Sequence, residues 1–237
     1  MIRRLVNIES FYMKWLQNLI VFFGAILIYL HIFIHFKISS FNEFTTIGTV
    51  SKENILSSVY YKLPFVFDGT TIIKPIDLKM LKDKNLKDLK ETKDVKDVKY
   101  VKKKGMYKTY ESLPLLEPSV RFFTNNTIYE LKKDKSLAIH RNLECRNFYM
   151  VHSGKFIIYC IHPKYINIKN VKDIELEKLI ENDDILRVEL YPNSILFVPN
   201  YWYVYVKSVE KSVIEKVQYK TILNEINFLY DKYTCEK

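Results

Sequence analysis

Four residues between positions 140 and 162 could bind a metal or transfer protons: His140, Glu144, His152 and His162. Imidazole and carboxylate groups are the usual protein ligands of catalytic iron and the usual acid and base groups of enzymes. The sequence contains no glycine-rich phosphate loop, no nucleophile elbow and no cysteine with an evident histidine partner. Metal-dependent chemistry is therefore the first function to test.

The strand that must position these residues is "RNFYMVHSGKFIIYC", residues 146–160, which breaks at a Ser-Gly pair and continues as a second apolar strand. Side chains alternate between the two faces of a strand, so His152 lies on the face opposite Asn147 and Tyr149. His162 stands at the end of the second strand. The pattern therefore does not bring these two histidines to one site.

The rest of the chain beyond the amino-terminal segment is also dominated by short aromatic and β-branched runs that end at Gly, Pro, Asn or charged turns. This pattern predicts a mainly β fold, either a sandwich or a closed jelly-roll barrel, with a C-terminal helix. The strand runs are residues 60–69, 119–131, 146–163, 185–209 and 211–222, and the helical patterns are residues 174–184 and 221–233.

An apolar segment, residues 15–36, has no charged side chain and is bounded by Lys14 and Lys37. At about 1.5 Å per residue such a helix spans roughly 33 Å, so we predict a transmembrane helix that contacts the lipid bilayer. A cleaved signal peptide would have a shorter apolar region, and a buried core helix would have a polar face. Because Arg3, Arg4 and Lys14 precede the helix, the positive-inside rule places the amino terminus of this single-pass protein in the cytosol.

The predicted order of segments follows from this anchor. A short amino-terminal segment, residues 1–14, precedes the transmembrane helix, and a stalk, residues 37–55, connects the helix to one β domain, residues 56–237. The chain of 237 residues is long enough for one sizeable domain plus an appendage. Its three cysteines show no C-x-x-C spacing, which indicates neither a disulfide framework nor a zinc site.

A lysine-rich run, residues 79–104, carries eleven lysines and five acidic residues. Its apolar residues recur every three positions and drift around a helix, which favours a solvated insertion in the β domain. The run could make weak contact with an anionic surface. The interspersed acids and the single aromatic residue, Tyr100, do not favour a specific nucleic-acid partner.

Two stretches, "NFYMVHSGKFIIYCIHPKY" and "ELYPNSILFVPNYWYVYV", together resemble the cupin-like JmjC family. That family typically reads His-x-Asp, then Asn-Phe, Gly-x-Lys and later Phe-Ile-Pro-x-x-Trp-x-His. The resemblance covers residues 137–206. Within the family, the sequence is most similar to cupin-like proteins of giant DNA viruses. It implies a double-stranded β-helix fold and, in active members, Fe(II) with 2-oxoglutarate.

The resemblance also implies where the iron and cosubstrate residues would lie, and the chemistry is missing there. Arg141 and Leu143 take the first histidine and acid positions, Phe156 takes the cosubstrate lysine position, and Val204 takes the second histidine position. A one-residue slip would bring His140 to the first position, but Asn142 would then replace the acid.

The sequence therefore predicts no catalytic residues, cofactor or metal site. His140 and Glu144 are the fallback metal ligands. We expect a catalytically degenerate cupin-like module, a pseudoenzyme with a structural or interaction role and an unknown protein partner, in a viral membrane or virion. The alternative is an Fe(II)/2-oxoglutarate oxygenase with a non-standard site.

Overall fold

The structure, a computed structural model, describes residues 2–38, 43–47, 52–74, 98–103, 116–118, 121, 123–166, 180–221 and 224–225. The chain divides into two compact units, residues 1–37 and residues 38–237. The predicted helices at 174–184 and 221–233 fall mostly outside the described residues.

The first unit is one helix, α1, which spans Ile2–Phe36. Within it, Tyr12–Leu30 is a stretch of 19 residues that is long and apolar enough to cross a membrane. Large apolar side chains such as Trp15, Phe22 and Leu27 are exposed along this stretch. A helix whose apolar side chains are exposed on all sides is typical of a membrane span.

The second unit contains helix α2, Lys52–Tyr61, and eleven strands within its described residues. The strands are β1 Thr45–Ile47, β2 Phe65–Asp68, β3 Val98–Lys103, β4 Phe123–Leu131, β5 Ser136–Arg141, β6 Arg146–Ser153, β7 Phe156–Ile161, β8 Leu186–Leu190, β9 Ser194–Pro199, β10 Tyr203–Ser208 and β11 Ser212–Lys220.

Strands β4 to β11 have the strand order of a jelly roll. The first strand pairs with the last and so on inward: β4 with β11, β5 with β10, β6 with β9 and β7 with β8, all antiparallel. The resulting sheets have the orders β1-β2-β9-β6-β11-β4-β3 and β5-β10-β7-β8. This nested pairing is the jelly-roll arrangement that cupins share, and it confirms the predicted fold class. The barrel is not closed, however, because no ladder in the described residues joins the two sheets.

An apolar core fills the space between the two sheets. The seven-stranded sheet contributes residues such as Val151 and Ile214, and the four-stranded sheet contributes Phe156, Val204 and Val206. All five are fully buried. Burial of each large apolar side chain stabilises the fold by about 1.5–3 kcal/mol. A second cluster covers the outer face of the seven-stranded sheet, where α2 packs against it.

The turn between β6 and β7 depends on Gly154. Its φ is +75°, a left-handed conformation that side chains disfavour. A Cβ at this position would also collide with the side chain and backbone of Ser212 on β11. The Ser-Gly break in the sequence is therefore a tight hairpin that only glycine allows.

Part of the lysine-rich run differs from the prediction. Its last described residues form β3, an edge strand of the seven-stranded sheet that pairs with β4. Lysines on an edge strand keep it from pairing with other chains, so they obscure the strand pattern in the sequence. Residues 79–97 of the run lie outside the described residues.

Candidate functional site

The inner face of the seven-stranded sheet changes from apolar to polar along its strands. Residues opposite each other on neighbouring strands point to the same side, so the strand register defines rows of side chains. One row, Tyr129–Ile214–Val151, packs against the apolar core or belongs to it. The next row contains Thr127, Lys216, Tyr149 and Leu196, and the row after it contains Asn125, Gln218, Asn147 and Val198.

The second polar row is a chain of side-chain amides. Asn125 Nδ2 donates to Gln218 Oε1 at 3.2 Å, and Gln218 Nε2 donates to Asn147 Oδ1 at 3.2 Å. Asn147 Nδ2 then donates to the backbone carbonyl of Glu144 at 3.1 Å. All the amides donate in the same direction, which leaves Asn125 Oδ1 buried without a hydrogen-bond partner among the described residues.

Lys216 is a buried cation in the first polar row. Only 6% of the residue is exposed, and its Nζ lies 5.5 Å from the centroid of the Tyr149 ring. Within the described part of the chain, no hydrogen bond or ion pair reaches this ammonium group. Burial lowers the pKa of Lys216 to about 8, although the Glu144 carboxylate attracts its charge from a distance. The native state therefore holds a charge that is poorly compensated.

His140, Tyr149 and Asn142 form a hydrogen-bonded group beside this lysine. His140 Nδ1 lies 3.1 Å from the carbonyl oxygen of Ala138, and His140 Nε2 lies 3.0 Å from Tyr149 Oη. Tyr149 Oη lies 3.1 Å from Oδ1 of the fully buried Asn142. Burial, and then the positive charge of Lys216, lower the pKa of His140 to about 3, so the imidazole is neutral at pH 7.

Neutrality fixes the proton positions in this group. A carbonyl can only accept, so His140 Nδ1 carries the proton and donates to Ala138, and Nε2 accepts from the Tyr149 hydroxyl. The single Tyr149 hydroxyl proton is shared between His140 Nε2 and Asn142 Oδ1, to which Tyr149 donates at 3.1 Å. Asn142 Nδ2 has no hydrogen-bond partner among the described residues. Both ring nitrogens of His140 are therefore engaged.

The resemblance expects the first histidine ligand at Arg141 and the acidic ligand at Leu143. The Arg141 side chain does not enter the interior. Its guanidinium carbon lies 4.9 Å from the ring centroid of Tyr201 and 5.9 Å from that of Tyr203. Tyr203 belongs to a cluster on the outer face of the four-stranded sheet. Leu143 follows β5 and is half-buried.

His140, the neighbour of Arg141, faces inward instead and pairs directly with Val204 on β10. A bulge between Val204 and Val206 shifts the register of β5 against β10 and produces this one-residue slip. Phe156 and Val204 both lie in the core between the sheets with 0% exposure. The structure thus brings His140, Phe156 and Val204 to the interior and leaves Arg141 outside it.

The other sequence candidates lie elsewhere. His152 contacts the buried carboxylate of Glu215 with 2.9 Å between Nε2 and Oε2, on the outer side of the seven-stranded sheet. His162 caps the short 3-10 helix Pro163–Tyr165 by accepting from the Lys164 amide. Among the described residues, no three His, Cys, Asp or Glu side chains form a group that could hold a metal ion.

Two of the three cysteines can be placed. Cys145 and Cys160 are buried free thiols, and burial raises the pKa of Cys160 to about 12. A thiol with so high a pKa is a weak nucleophile. Cys235 lies outside the described residues.

Lys216 and Gln218 were not predicted from the sequence as site residues, although the alternation along their strand contains a signal for them. They stand two and four positions after Ile214 on one strand and therefore share its face. Two polar residues on the face of a core isoleucine indicate a polar interior. That signal becomes useful only once the register shows that Ile214 points between the sheets.

No protein-family model matches the chain, and no curated protein matches its sequence significantly. Solved structures resemble parts of the chain. A cupin superfamily protein from Desulfitobacterium hafniense superposes with a TM-score of 0.33 and 10% identity, over 53% of this chain and 80% of that one. The corresponding values are 0.30, 11%, 41% and 22% for the coconut allergen cocosin, and 0.29, 9%, 40% and 67% for KdgF from Halomonas sp.. The jelly-roll assignment rests on the strand order, and these partial superpositions carry no information on activity.

Proposed function

We propose that this protein is a membrane-anchored jelly-roll module with a structural or interaction role, and that it is a pseudoenzyme with respect to iron and 2-oxoglutarate chemistry. The observation that carries the proposal is the packing of Phe156 and Val204 in the interior core. In the resemblance these are the cosubstrate lysine and the second histidine. Neither side chain has a lone pair for iron, and the Phe156 ring fills volume that a cosubstrate would need.

The polar residues beside them do not fit iron either. Fe(II) in such sites binds two histidines and one carboxylate through free lone pairs. His140 donates from one ring nitrogen and accepts at the other, and Asn142 stands where the carboxylate would be. Glu144, the other fallback ligand, is half-buried and attracts the Lys216 ammonium. These residues therefore do not fit an iron site.

The membrane part of the proposal is supported by helix α1. Its 19-residue apolar stretch is long enough to span a bilayer, and the basic residues that precede it favour an amino terminus in the cytosol. The jelly roll then lies on the opposite side of the membrane. A viral membrane or virion is the setting that the resemblance implies, and an unidentified membrane or virion protein is the partner we propose.

Elemental analysis of the full-length protein, purified in detergent after expression with iron and zinc supplied, tests the pseudoenzyme proposal. We expect far less than one metal ion per chain and no 2-oxoglutarate turnover. His140→Ala is the informative variant and Lys133→Met, which changes an exposed turn residue, is its control.

An oxygenase with a non-standard site is the second candidate, because His140 faces the interior directly opposite Val204. A near-stoichiometric metal content that disappears in His140→Ala and persists in Lys133→Met would favour this candidate and refute the first.

A further inference from the structure

We propose that the polar end of the jelly-roll interior is a binding site for a small monocarboxylate, which is held by the Lys216 ammonium and the Thr127 hydroxyl. This inference is independent of the proposed membrane role. It concerns residues on β4 and β11 and not the positions where the resemblance expects iron and its cosubstrate.

Thr127 and Lys216 are neighbours on the inner face of the seven-stranded sheet. Thr127 and Lys216 are direct partners in the β4–β11 register, so their side chains lie next to each other on the inner face. Both residues are more than nine-tenths buried. Within the described residues, neither the Lys216 ammonium nor the Thr127 hydroxyl forms a hydrogen bond, and because neither atom is among the fully buried atoms without a partner, solvent reaches both. Two adjacent donors without acceptors are a suitable site for a carboxylate, which accepts hydrogen bonds at both oxygens.

An ammonium group that is buried without a paired anion is costly, and a bound anion removes most of that cost. The neighbouring amides carry no charge: Gln218 is hydrogen-bonded to Asn125 and Asn147, and the acceptor left over, Asn125 Oδ1, is neutral and cannot balance the ammonium charge. The Tyr149 ring offers only its face to the lysine. A carboxylate from outside the chain would supply the missing acceptor.

The charges around Lys216 favour a ligand with a single negative charge. Lys216 is the cation of this cluster, because His140 is neutral at pH 7. The Glu144 carboxylate already attracts Lys216 without forming an ion pair. A monoanion matches one ammonium group, whereas a dianion such as phosphate would add uncompensated negative charge close to Glu144. The half-buried side chains of His140 and Glu144 bring this end of the interior to the protein surface.

The experiment titrates full-length protein in detergent with sodium acetate, at constant ionic strength against chloride, and follows the thermal unfolding of the jelly roll. We expect saturable stabilisation of the wild type. Lys216→Met should weaken acetate binding by about tenfold or more, because it removes a charged hydrogen bond. Thr127→Val, which keeps the side-chain shape, should weaken it less, and the control Lys133→Met should leave it unchanged.

Two further measurements separate this site from general anion effects. Glu144→Gln should tighten acetate binding, because it removes a competing carboxylate from the field of Lys216. The wild-type affinity should fall about tenfold per pH unit above pH 8, where Lys216 loses its proton in the absence of ligand. Equal affinity in Lys216→Met and wild type, tighter binding of inorganic phosphate than of acetate, or no saturable binding at all would each overturn the proposal.

Discussion

Replacement of Lys216 by methionine should make the jelly roll more stable. Methionine keeps the unbranched stem of the lysine and removes the buried charge. The folded-state pKa of Lys216 is lowered from 10.5 to about 8. At 1.36 kcal/mol per pKa unit, the charged form therefore destabilises the native state by about 3 kcal/mol at pH 7. Loss of the contact with the Tyr149 ring offsets part of the gain, so we expect a net stabilisation of about 1–3 kcal/mol.

The size of this effect changes with pH in a defined way. Between pH 8 and pH 10.5 the unfolded chain keeps the proton of Lys216 while the native state has lost it, so wild-type stability rises with pH in that window. Below pH 8 the penalty is constant. The advantage of Lys216→Met should therefore be complete at pH 7, shrink above pH 8 and vanish by about pH 10.5.

Urea unfolding of the full chain in detergent micelles, in a buffer without carboxylates, measures the difference. Tryptophan fluorescence in a Trp15→Phe background reports on the jelly roll alone, because Trp202 is then the remaining tryptophan and is fully buried. Lys133→Met should change the free energy of unfolding by less than about 0.5 kcal/mol. If Lys216→Met lowers the free energy of unfolding at pH 7 with an unchanged slope against urea, the ammonium has a stabilising partner and the site proposal loses its energetic basis.

Three other results should follow. His140 has a folded-state pKa of about 3, so the unfolded chain binds a proton at a higher pH than the native state does. Through this residue the free energy of unfolding should fall by about 2 kcal/mol between pH 7 and pH 5. The pH profile of His140→Gln should lack that fall. Gly154→Ala should destabilise the jelly roll by about 2–4 kcal/mol because of its positive φ and the clash with Ser212, and an effect below 1 kcal/mol would show that the hairpin relaxes. Alkaline carbonate should leave the full-length protein in the membrane fraction, and release into the supernatant would refute the anchor.

The fold could be predicted because strand alternation survives in the sequence. The pair β6 and β7 is visible as an aromatic run on each side of Gly154, and the stretch around Trp15 and Phe22 is apolar on every face of its helix. These signals depend only on neighbouring residues. Strand β3 was missed because its lysines protect an exposed edge and so conceal the apolar alternation.

The inner face could not be predicted with the same accuracy, because it depends on contacts between distant strands. The bulge in β5, where Ala138 and Ile139 lie opposite the single residue Tyr205 of β10, decides that His140 and not Arg141 faces Val204. A single sequence gives no register between β5 and β10. The neighbourhood of Lys216 likewise depends on the pairing of β11 with β4 and β6. Local patterns therefore predicted the strands, whereas the site required the register.

The two halves of the interior carry opposite implications for function. At Phe156 and Val204 the interior is apolar and closely packed, which stabilises the domain. On the inner face of the seven-stranded sheet, Lys216 costs the native state about 3 kcal/mol, a large fraction of the 5–15 kcal/mol that holds a typical domain together. A methionine would avoid that cost. A buried charge that weakens the fold, next to the unpaired hydroxyl of Thr127, is what a binding site requires and what a purely structural core would exclude.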